Sequence, residues 1–455
     1  MMKLNKKCLN LGVIYKIMKR NVIGLVSATC LVIGNMLGAG IYMMPANMAL
    51  AGGAISIFSW LIILIGITAL SLSFVKLNFL TKNHGGGPYF YVNMSFGLFP
   101  ARVINMIYII ANLIAITSML SIVNAILILI FKNLTSNIVL SILIQLMIIW
   151  SLTLLNIGGA RITTILQSTS LYFVLIPIIL IILFGSYYFD WQLFNNNINP
   201  DHLSILTVTN NAYNNIIWAF IGVESAVIIA NIVKKPDKNI PIATISAIFI
   251  VAFIYIAVYI CAMGVLGNNI LIKFNNPLIL VIRKLFANKL LENLLIITIV
   301  IDCISSILGW LLVTSHSISR SADDNLINNY FSKLNSQKSP YRSLILGAII
   351  ISITIISTAS NNILIQFNKI INTSVLLYLV AYITSMLSLI SLMLRQKFIS
   401  IIEKYCYILL AIITIIFCLY SIYITNTVYL LITFFIIIIS FIFSLRILGI
   451  KKNVN

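Results

Sequence analysis

Long apolar segments recur along the whole chain and constrain its fold more than any other feature. A helix that crosses a bilayer needs about 20 mostly apolar residues. Twelve segments meet this requirement, at residues 23–50, 54–80, 99–130, 137–156, 162–188, 210–233, 240–266, 290–319, 343–359, 363–394, 398–422 and 427–446. They lack the alternation of polar and apolar residues that barrel strands require. The sequence therefore predicts an all-α polytopic membrane protein with about 12 transmembrane helices.

The composition supports this fold class and excludes others. Hydrophobic residues make up 61% of the chain and charged residues 8%, whereas about a quarter of a soluble domain is charged. Soluble enzymes, disordered chains and disulfide-rich secreted scaffolds are therefore excluded. The sequence has no P-loop and no soluble catalytic domain, so we do not expect an enzyme. The six cysteines form no CxxC pair and the three histidines lack ligand spacing, so we expect no metal site and no cofactor.

The net charge of +20 is best interpreted as a topology signal. When loops are assigned to alternate sides of the membrane, 23 of the 29 lysines and arginines fall on the side of the N terminus and 6 on the other. Basic residues concentrate in cytoplasmic loops, so both termini are predicted to be cytoplasmic. The basic excess then indicates orientation, with some affinity for anionic lipid, and no nucleic-acid partner.

Two of the twelve segments are interrupted at similar depths. The first contains the stretch GNMLGAG at residues 34–40, where glycines disfavour a regular helix. In the sixth, Gly222 lies close to Glu224. Interrupted segments at matching positions of two halves indicate the binding site of a transporter built from inverted repeats. For the first segment alone, close packing of helices is the alternative explanation.

The repeat predicts how the chain is organised. Residues 1–20 form a cytoplasmic tail, residues 21–200 the first inverted repeat with spans 1–5, and residues 201–396 the second with spans 6–10. Residues 397–455 hold spans 11 and 12 and a cytoplasmic C terminus. An interrupted helix frees backbone N–H groups on one half and C=O groups on the other. Two facing interruptions would hold the carboxylate and the ammonium group of an amino acid.

Two acidic side chains lie well inside predicted spans, Glu224 and Asp302. An acid at this depth is costly and usually functional. We expect Glu224 to couple transport to protons or to act in gating, and a structural, hydrogen-bonded acid is the alternative. Asp302 pairs either with the distal ammonium of a substrate or with a neighbouring helix.

Several stretches resemble one family of transporters. Residues 24–53, Gly-Gly-Gly-Pro-Tyr at 85–89, residues 218–226 and residues 236–244 match its motifs, as do Gly309, Trp310 and residues 322–324. The chain is thereby similar to the basic amino acid/polyamine antiporters of the amino acid–polyamine–organocation superfamily. The resemblance implies that the chain transports amino acids or polyamines with coupling to protons. It also implies location in a bacterial inner membrane and is compatible with a homodimer.

The resemblance also assigns roles to individual residues. The positions that align with substrate-binding residues of the family are Met36, Gly38, Ala39, Gly40, Tyr108, Ala111, Asn112, Trp218, Ile221, Trp310 and Ser374. Among them, the backbone at 38–40 would bind a carboxylate, and the carbonyls of Met36, Trp218 and Ile221 would receive the α-ammonium. Trp310 would stack on the distal cation. The positions assigned to gating or proton coupling are Glu224, Tyr382 and Asp302, of which Tyr382 would be the gate on the cytoplasmic side.

The chain departs from relatives that bind arginine at two positions. Ile116 replaces an asparagine, and Asn112 stands one helical turn earlier on the same face. Asp302, eight residues before Trp310, replaces a small residue. These departures leave the substrate open within the class of cationic amino acids and amines.

Three functions compete at this point. The first is an exchanger that swaps a cationic amino acid for a related amine by alternating access. The second is a proton-coupled amino acid importer on the same scaffold. The third is a channel or membrane receptor without transport activity.

Overall fold

The computed structural model describes residues 24–81, 87–130, 138–159, 175–228, 230, 233–273, 277–286, 288–323, 326–337, 339–360, 362–396 and 400–452. The predicted tail at residues 1–20 lies outside these ranges. So do Gly85, Gly86, Asp324 and the first part of the predicted fifth span, residues 162–174. Predictions on these residues stay predictions.

The described residues form helices joined by short loops, and no β-strand occurs among them. The helices are α1 (Leu25–Leu37), α2 (Met44–Gly52), α3 (Ile57–Leu80), α4 (Pro88–Phe96), α5 (Leu98–Ile130), α6 (Ile138–Ile157), α7 (Leu175–Tyr187), α8 (Trp191–Asn196), α9 (Ile205–Ala219), α10 (Ser225–Ile228), α11 (Pro236–Leu266), α12 (Asn268–Lys273), α13 (Pro277–Leu285), α14 (Lys289–Asp323), α15 (Tyr341–Thr358), α16 (Ile363–Arg395), α17 (Ile401–Ile424) and α18 (Thr427–Lys452). The predicted all-α polytopic class is confirmed.

Nine stretches of helix in the described part of the chain are long and apolar enough to cross a bilayer. They correspond to the second, third, fourth and seventh to twelfth predicted spans. The other three predicted spans also contain helix. The fifth is represented by α7, while the first and the sixth are each divided in two, as α1 with α2 and as α9 with α10.

Burial separates an inner bundle from peripheral helices. In α5 the most apolar stretch is 83% buried, and this helix packs along α16 at the centre. In α18 the corresponding stretch is 17% buried. Exposed apolar side chains cover α17 and α18, which suits helices that face lipid chains instead of protein.

Polar side chains fix α9 within the bundle. The Asn214 side-chain nitrogen donates to the side-chain oxygens of Asn372 on α16 and of Thr425 after α17, at 2.8 Å in both cases. The Ser421 hydroxyl of α17 donates to the Asn214 oxygen at 2.6 Å. Hydrogen bonds between membrane helices contribute about 0.6 kcal/mol on average. This network positions the half-helix whose last turn carries Trp218.

Candidate functional site

The first interruption lies between α1 and α2. Helix α1 ends at Leu37, Gly38 adopts a positive φ of 34°, and a short 3-10 helix follows at Ala39–Tyr42. The break leaves carbonyls at the end of α1 without helical partners. The Tyr255 hydroxyl of α11 lies 3.2 Å from the carbonyl oxygens of both Met36 and Leu37 and donates to them. A side chain of another helix therefore stabilises the broken end.

The second interruption lies between α9 and α10. Helix α9 ends at Ala219, and a turn runs over residues 220–224 before Ser225 opens α10. Gly222 has a φ of 104°, a conformation that L side chains rarely adopt. A Cβ atom at Gly222 would also lie 3.2 Å from the Cβ of Asn35. The turn of the second break therefore packs directly against the end of α1.

Two further contacts join the breaks. The Asn35 side-chain nitrogen donates to the Ser225 hydroxyl at 2.8 Å. The Trp218 indole lies against Gly40, where a Cβ atom would come within 2.1 Å of the ring carbon Cζ3. Only a glycine leaves room for this ring. The two interrupted spans thus form one local structure.

A cavity lies beside both breaks. Its lining residues are Asn35, Met36, Leu37, Gly38, Gly40, Asn112, Ala115, Ile116, Met119, Trp218, Ile221, Trp310 and Tyr378. Two indole rings and one phenol contribute to the wall, and none of the described residues that line it is acidic or basic. Such a wall can bind a cation through ring faces and backbone groups.

Glu224 lies in the turn of the second break, outside the lining of the cavity. Its carboxylate is surrounded by donors: the Tyr108 hydroxyl at 2.8 Å, the Tyr382 hydroxyl at 3.1 Å and the Gly222 N–H at 3.3 Å. The side chain is buried. Through the two tyrosines, the acid connects the second break to α5 and α16.

Asp302 lies on α14 and is also buried outside the lining of the cavity. One carboxylate oxygen accepts a hydrogen bond from the Tyr42 hydroxyl at 3.2 Å. Tyr42 is the last residue of the 3-10 helix in the first break. Each break is thus attached to one buried acid.

Comparison with known proteins decides the family. The family model described as Amino acid permease matches residues 23–443. The chain belongs to this family. The match confirms the predicted superfamily and a transporter instead of an enzyme. Together with the membrane-length helices, it makes the permease a multi-pass membrane protein that handles small molecules across the bilayer.

Individual relatives narrow the family further. The permease is 30% identical over 372 residues to the putrescine transporter PotE of Haemophilus influenzae. The aligned residues cover 82% of this chain and 84% of the relative. It is 30% identical over 374 residues to PotE of Escherichia coli K12, with the same coverage. The Escherichia coli K12 cadaverine/lysine antiporter is 27% identical over 377 residues, 81% of this chain and 83% of the relative. The predicted resemblance to basic amino acid/polyamine antiporters is confirmed.

The permease brings most of the predicted site residues together. Seven of them line the cavity: Met36, Gly38, Gly40, Asn112, Trp218, Ile221 and Trp310. Ala39 contributes backbone to the 3-10 helix, and its side chain lies outside the described set. Tyr108 bonds Glu224, Ala111 is buried in α5, and the Ser374 hydroxyl donates to the Ile371 carbonyl at 3.0 Å. These last three residues lie outside the lining.

Residue-by-residue reasoning overlooked one part of the wall. Tyr378 lines the cavity, and its hydroxyl donates to the Asn112 side-chain oxygen. A signal for it exists, because Ser374, Tyr378 and Tyr382 follow one another at intervals of four residues and share one face of α16. Met119 lies one turn after Ala115 on α5 and closes the wall near Gly38.

No group of three or more His, Cys, Asp or Glu side chains that could hold a metal ion occurs among the described residues. The cavity wall is likewise built from apolar, aromatic and amide groups. Ring faces, amide groups and backbone are therefore what the described wall offers to a ligand.

Proposed function

We propose that the permease is a secondary active exchanger, which swaps a diamino acid such as ornithine or lysine for a diamine such as putrescine or cadaverine. The observation that carries this proposal is the cavity beside the two helix breaks, with three aromatic rings in its wall and no charged side chain among the described lining residues. The named functions of the relatives, putrescine transport and cadaverine/lysine antiport, support the substrate class.

The first break supplies a site for a carboxylate. The 3-10 helix at Ala39–Tyr42 begins beside the cavity, and the first N–H groups of a helix have no helical acceptor. An amino acid would place its carboxylate there. A diamine has no carboxylate, so it would leave this position to water and be held by its ammonium groups alone.

The aromatic wall supplies the site for ammonium groups. A cation over the face of an indole gains about 2 kcal/mol when desolvated. Trp218 and Trp310 come from different helices, α9 and α14, and both line the cavity. We propose that Trp218 covers the aliphatic part of the substrate and that Trp310 carries the distal cation.

The amides of the wall already take part in hydrogen bonds between helices. A guanidinium group needs hydrogen-bond acceptors in its plane. The wall has two amides, Asn35 and Asn112, and Ile116 offers no acceptor. The Asn112 oxygen already accepts one hydrogen bond from Tyr378, and the Asn35 nitrogen donates to Ser225. A primary ammonium, which depends less on planar acceptors, fits this wall better. We therefore favour ornithine, lysine and their diamines over arginine and agmatine.

Gating is proposed for the residues around Glu224. Tyr108 on α5 and Tyr382 on α16 both donate to this carboxylate. A change in the proton content of Glu224 alters these bonds, and thereby the attachment of α10 to the bundle. We propose that Glu224 biases alternating access with pH, and that the two tyrosines move with it.

The proposal includes the inverted repeat of the chain and its orientation in the membrane. Residues 21–200 and 201–396 would form two inverted repeats that rock about the cavity, with both termini in the cytoplasm and the chain in a bacterial inner membrane. The interrupted first and sixth spans support the repeat. The homodimer remains a prediction of the sequence alone.

A thermal-shift screen tests the substrate class. Purified permease is heated with arginine, lysine, ornithine, agmatine, cadaverine, putrescine or a neutral amino acid. We expect the diamines and diamino acids to raise the melting temperature at lower concentration than arginine or agmatine do. Equal or stronger stabilisation by the neutral amino acid would contradict the proposal.

The buried acid in the second break favours proton-coupled import of an amino acid as the second candidate. The two candidates differ in what drives uptake. An importer fills substrate-free liposomes when a proton gradient is imposed. An exchanger needs substrate inside, whatever the gradient.

A further inference from the structure

Asp302 is a buried acid with an incomplete set of partners. The residue is 1% exposed, and its oxygen Oδ2 accepts one hydrogen bond, from Tyr42. The other oxygen, Oδ1, has no hydrogen-bond partner in the part of the chain that the structure describes. No lysine, arginine or histidine forms an ion pair with it within those same residues.

The neighbours of Asp302 supply no positive charge. The titratable groups that face it are Tyr42 of the first break, Tyr255 of α11 and Cys303 of its own helix. The Ser306 hydroxyl, one turn further along α14, is a neutral group within reach to donate a hydrogen bond to the carboxyl group. An unpaired carboxylate in a membrane protein is costly. This arrangement favours the neutral carboxyl group over an unpaired carboxylate.

Glu224 provides the contrast within the same molecule. It accepts hydrogen bonds from three donors, one of them a backbone N–H that cannot act as an acceptor. Glu292, the other buried acid of α14, has ion pairs with Arg283 and Lys289. Among these three acids, and within the described residues, only Asp302 has neither an ion pair nor a backbone N–H donor. It is the acid with room for a proton or for a new cation.

Two elements connect Asp302 to the cavity. Tyr42 ends the 3-10 helix that begins beside the lining residues Gly38 and Gly40. On α14, Asp302 precedes Trp310 by eight residues, about 12 Å along the helix axis. A charge on Asp302 therefore acts on a cavity whose wall, as far as the structure describes it, contains no acid.

The two proposed substrates differ in net charge, and therefore in the negative charge that they need from the protein. A diamino acid brings three charged groups, and its own carboxylate balances one of its two ammonium groups. A diamine brings two ammonium groups and no carboxylate. It needs one more negative charge from the protein than the diamino acid does.

We infer that Asp302 is a second proton-binding site, and that a diamine displaces the proton from it whereas a diamino acid does not. The O–H bond of the carboxyl group breaks, the proton leaves to water, and the carboxylate remains as counter-ion for one ammonium. The inference rests on the proposed exchange and specifies its charge. Both loaded forms carry the same net charge, so a diamine exchanges electroneutrally for a diamino acid and one proton.

Proton release on binding tests this inference. Purified permease in a weakly buffered solution with a pH indicator is mixed with saturating putrescine or ornithine. The wild type is expected to release about one proton more with putrescine than with ornithine, by linkage of ligand and proton binding. Equal release with both ligands would overturn the inference.

Variants assign the released proton. Asp302→Asn is expected to lose the difference between the two ligands, and Asp302→Glu to keep it. Asp323→Asn, at the other end of α14, is the matched control and is expected to behave like the wild type. Glu224→Gln is also expected to keep the difference. A difference that survives in Asp302→Asn, or disappears in Glu224→Gln, assigns the proton elsewhere and overturns the inference.

Binding is followed in the same samples by the shift in melting temperature. An Asp302→Asn protein that still binds ornithine is folded, so its proton count can be interpreted. If this variant does not fold, Asp302→Glu carries the test, since loss of the difference there overturns the inference. Failure of the wild type to bind either ligand overturns the proposed function itself, a result distinct from binding with equal proton release.

Discussion

The two interrupted spans are held by different kinds of contact at their breaks. In the first break the freed carbonyls of Met36 and Leu37 are capped by Tyr255, and the segment next to the cavity presents backbone. In the second break the turn carries its own acid, Glu224, held by two tyrosines and a backbone N–H. The first break is thus suited to bind a substrate, and the second to respond to protons.

The difference also explains why the breaks lie in contact. Trp218 from the end of α9 occupies the space above Gly40, and Asn35 from α1 bonds Ser225 of α10. A movement of either break therefore displaces the other. This coupling is what an exchanger needs, because occupancy of the cavity has to control the change between its two orientations.

The largest effect is expected from Gly40→Ala. The new Cβ atom would lie 2.1 Å from the Trp218 ring and separate the two breaks. Overpacking of this kind costs about 1–3 kcal/mol of stability. Because the strain falls on the contact between the breaks beside the cavity, we expect it to weaken affinity by up to roughly 150-fold. Calorimetric titration with putrescine measures the loss.

Gly66→Ala is the matched control for this variant. Its Cβ atom would lie 2.2 Å from the Phe417 ring, between α3 and α17 and away from the cavity lining. We expect a lower melting temperature and an unchanged dissociation constant. If both variants weaken putrescine binding equally, the contact between the breaks has no special role.

Trp310→Leu is expected to weaken cationic substrates next. Loss of an indole under a desolvated cation removes about 2 kcal/mol, roughly a 30-fold change in the dissociation constant. Trp150→Leu on α6, whose ring is exposed, serves as the control. An equal loss for a neutral amino acid would refute stacking of the distal cation on Trp310.

Glu224→Gln is expected to separate binding from proton response. The amide keeps the size of the side chain but takes up no proton, so the pH dependence of exchange, expected to be up to about tenfold per pH unit in the wild type, becomes shallower, and Asp302 accounts for what is left. Binding at one pH stays close to that of the wild type. Exchange rates in reconstituted vesicles between pH 5.5 and 8 provide the measurement.

Glu403→Gln controls for loss of an acid elsewhere, since Glu403 pairs with Lys76 at the surface of the bundle. It is expected to leave the pH profile of exchange unchanged. A Glu224→Gln profile that follows the wild type would show that the second break does not respond to protons.

The smallest effect is expected from Tyr255→Phe. The variant removes one hydroxyl that bonds two carbonyls at the end of the first break. A net loss of about 0.5–1.5 kcal/mol corresponds to roughly a 2- to 12-fold weaker affinity for ornithine. Tyr213→Phe removes a comparable bond to the Phe417 carbonyl outside the cavity lining. Equal changes in both variants would argue for a general loss of stability.

The sequence predicted the parts of this site that depend on local chemistry. The glycines at 38, 40 and 222 indicated both breaks, and the long apolar segments indicated the class of fold. Trp218 and Trp310 were expected at the substrate because the motifs around them resemble a family. These features are visible in short stretches of sequence, where backbone conformation and hydropathy determine the structure.

The remaining features depend on contacts between distant residues. Asp302 and its partner Tyr42 are separated by 260 positions, and Tyr378 and Asn112 by 266. The Met36 carbonyl, expected to receive an ammonium group, accepts a hydrogen bond from Tyr255, 219 positions away. Hydropathy patterns place residues on helices, but which faces of two helices meet is decided by packing of the whole bundle.

Uptake of labelled putrescine into liposomes tests directly whether the permease is an exchanger. Purified permease is reconstituted into liposomes that contain either ornithine or only buffer, and labelled putrescine is added outside. We expect rapid uptake into the liposomes loaded with ornithine and uptake near background into the empty ones. Equal uptake into both, driven by an imposed proton gradient, would contradict exchange.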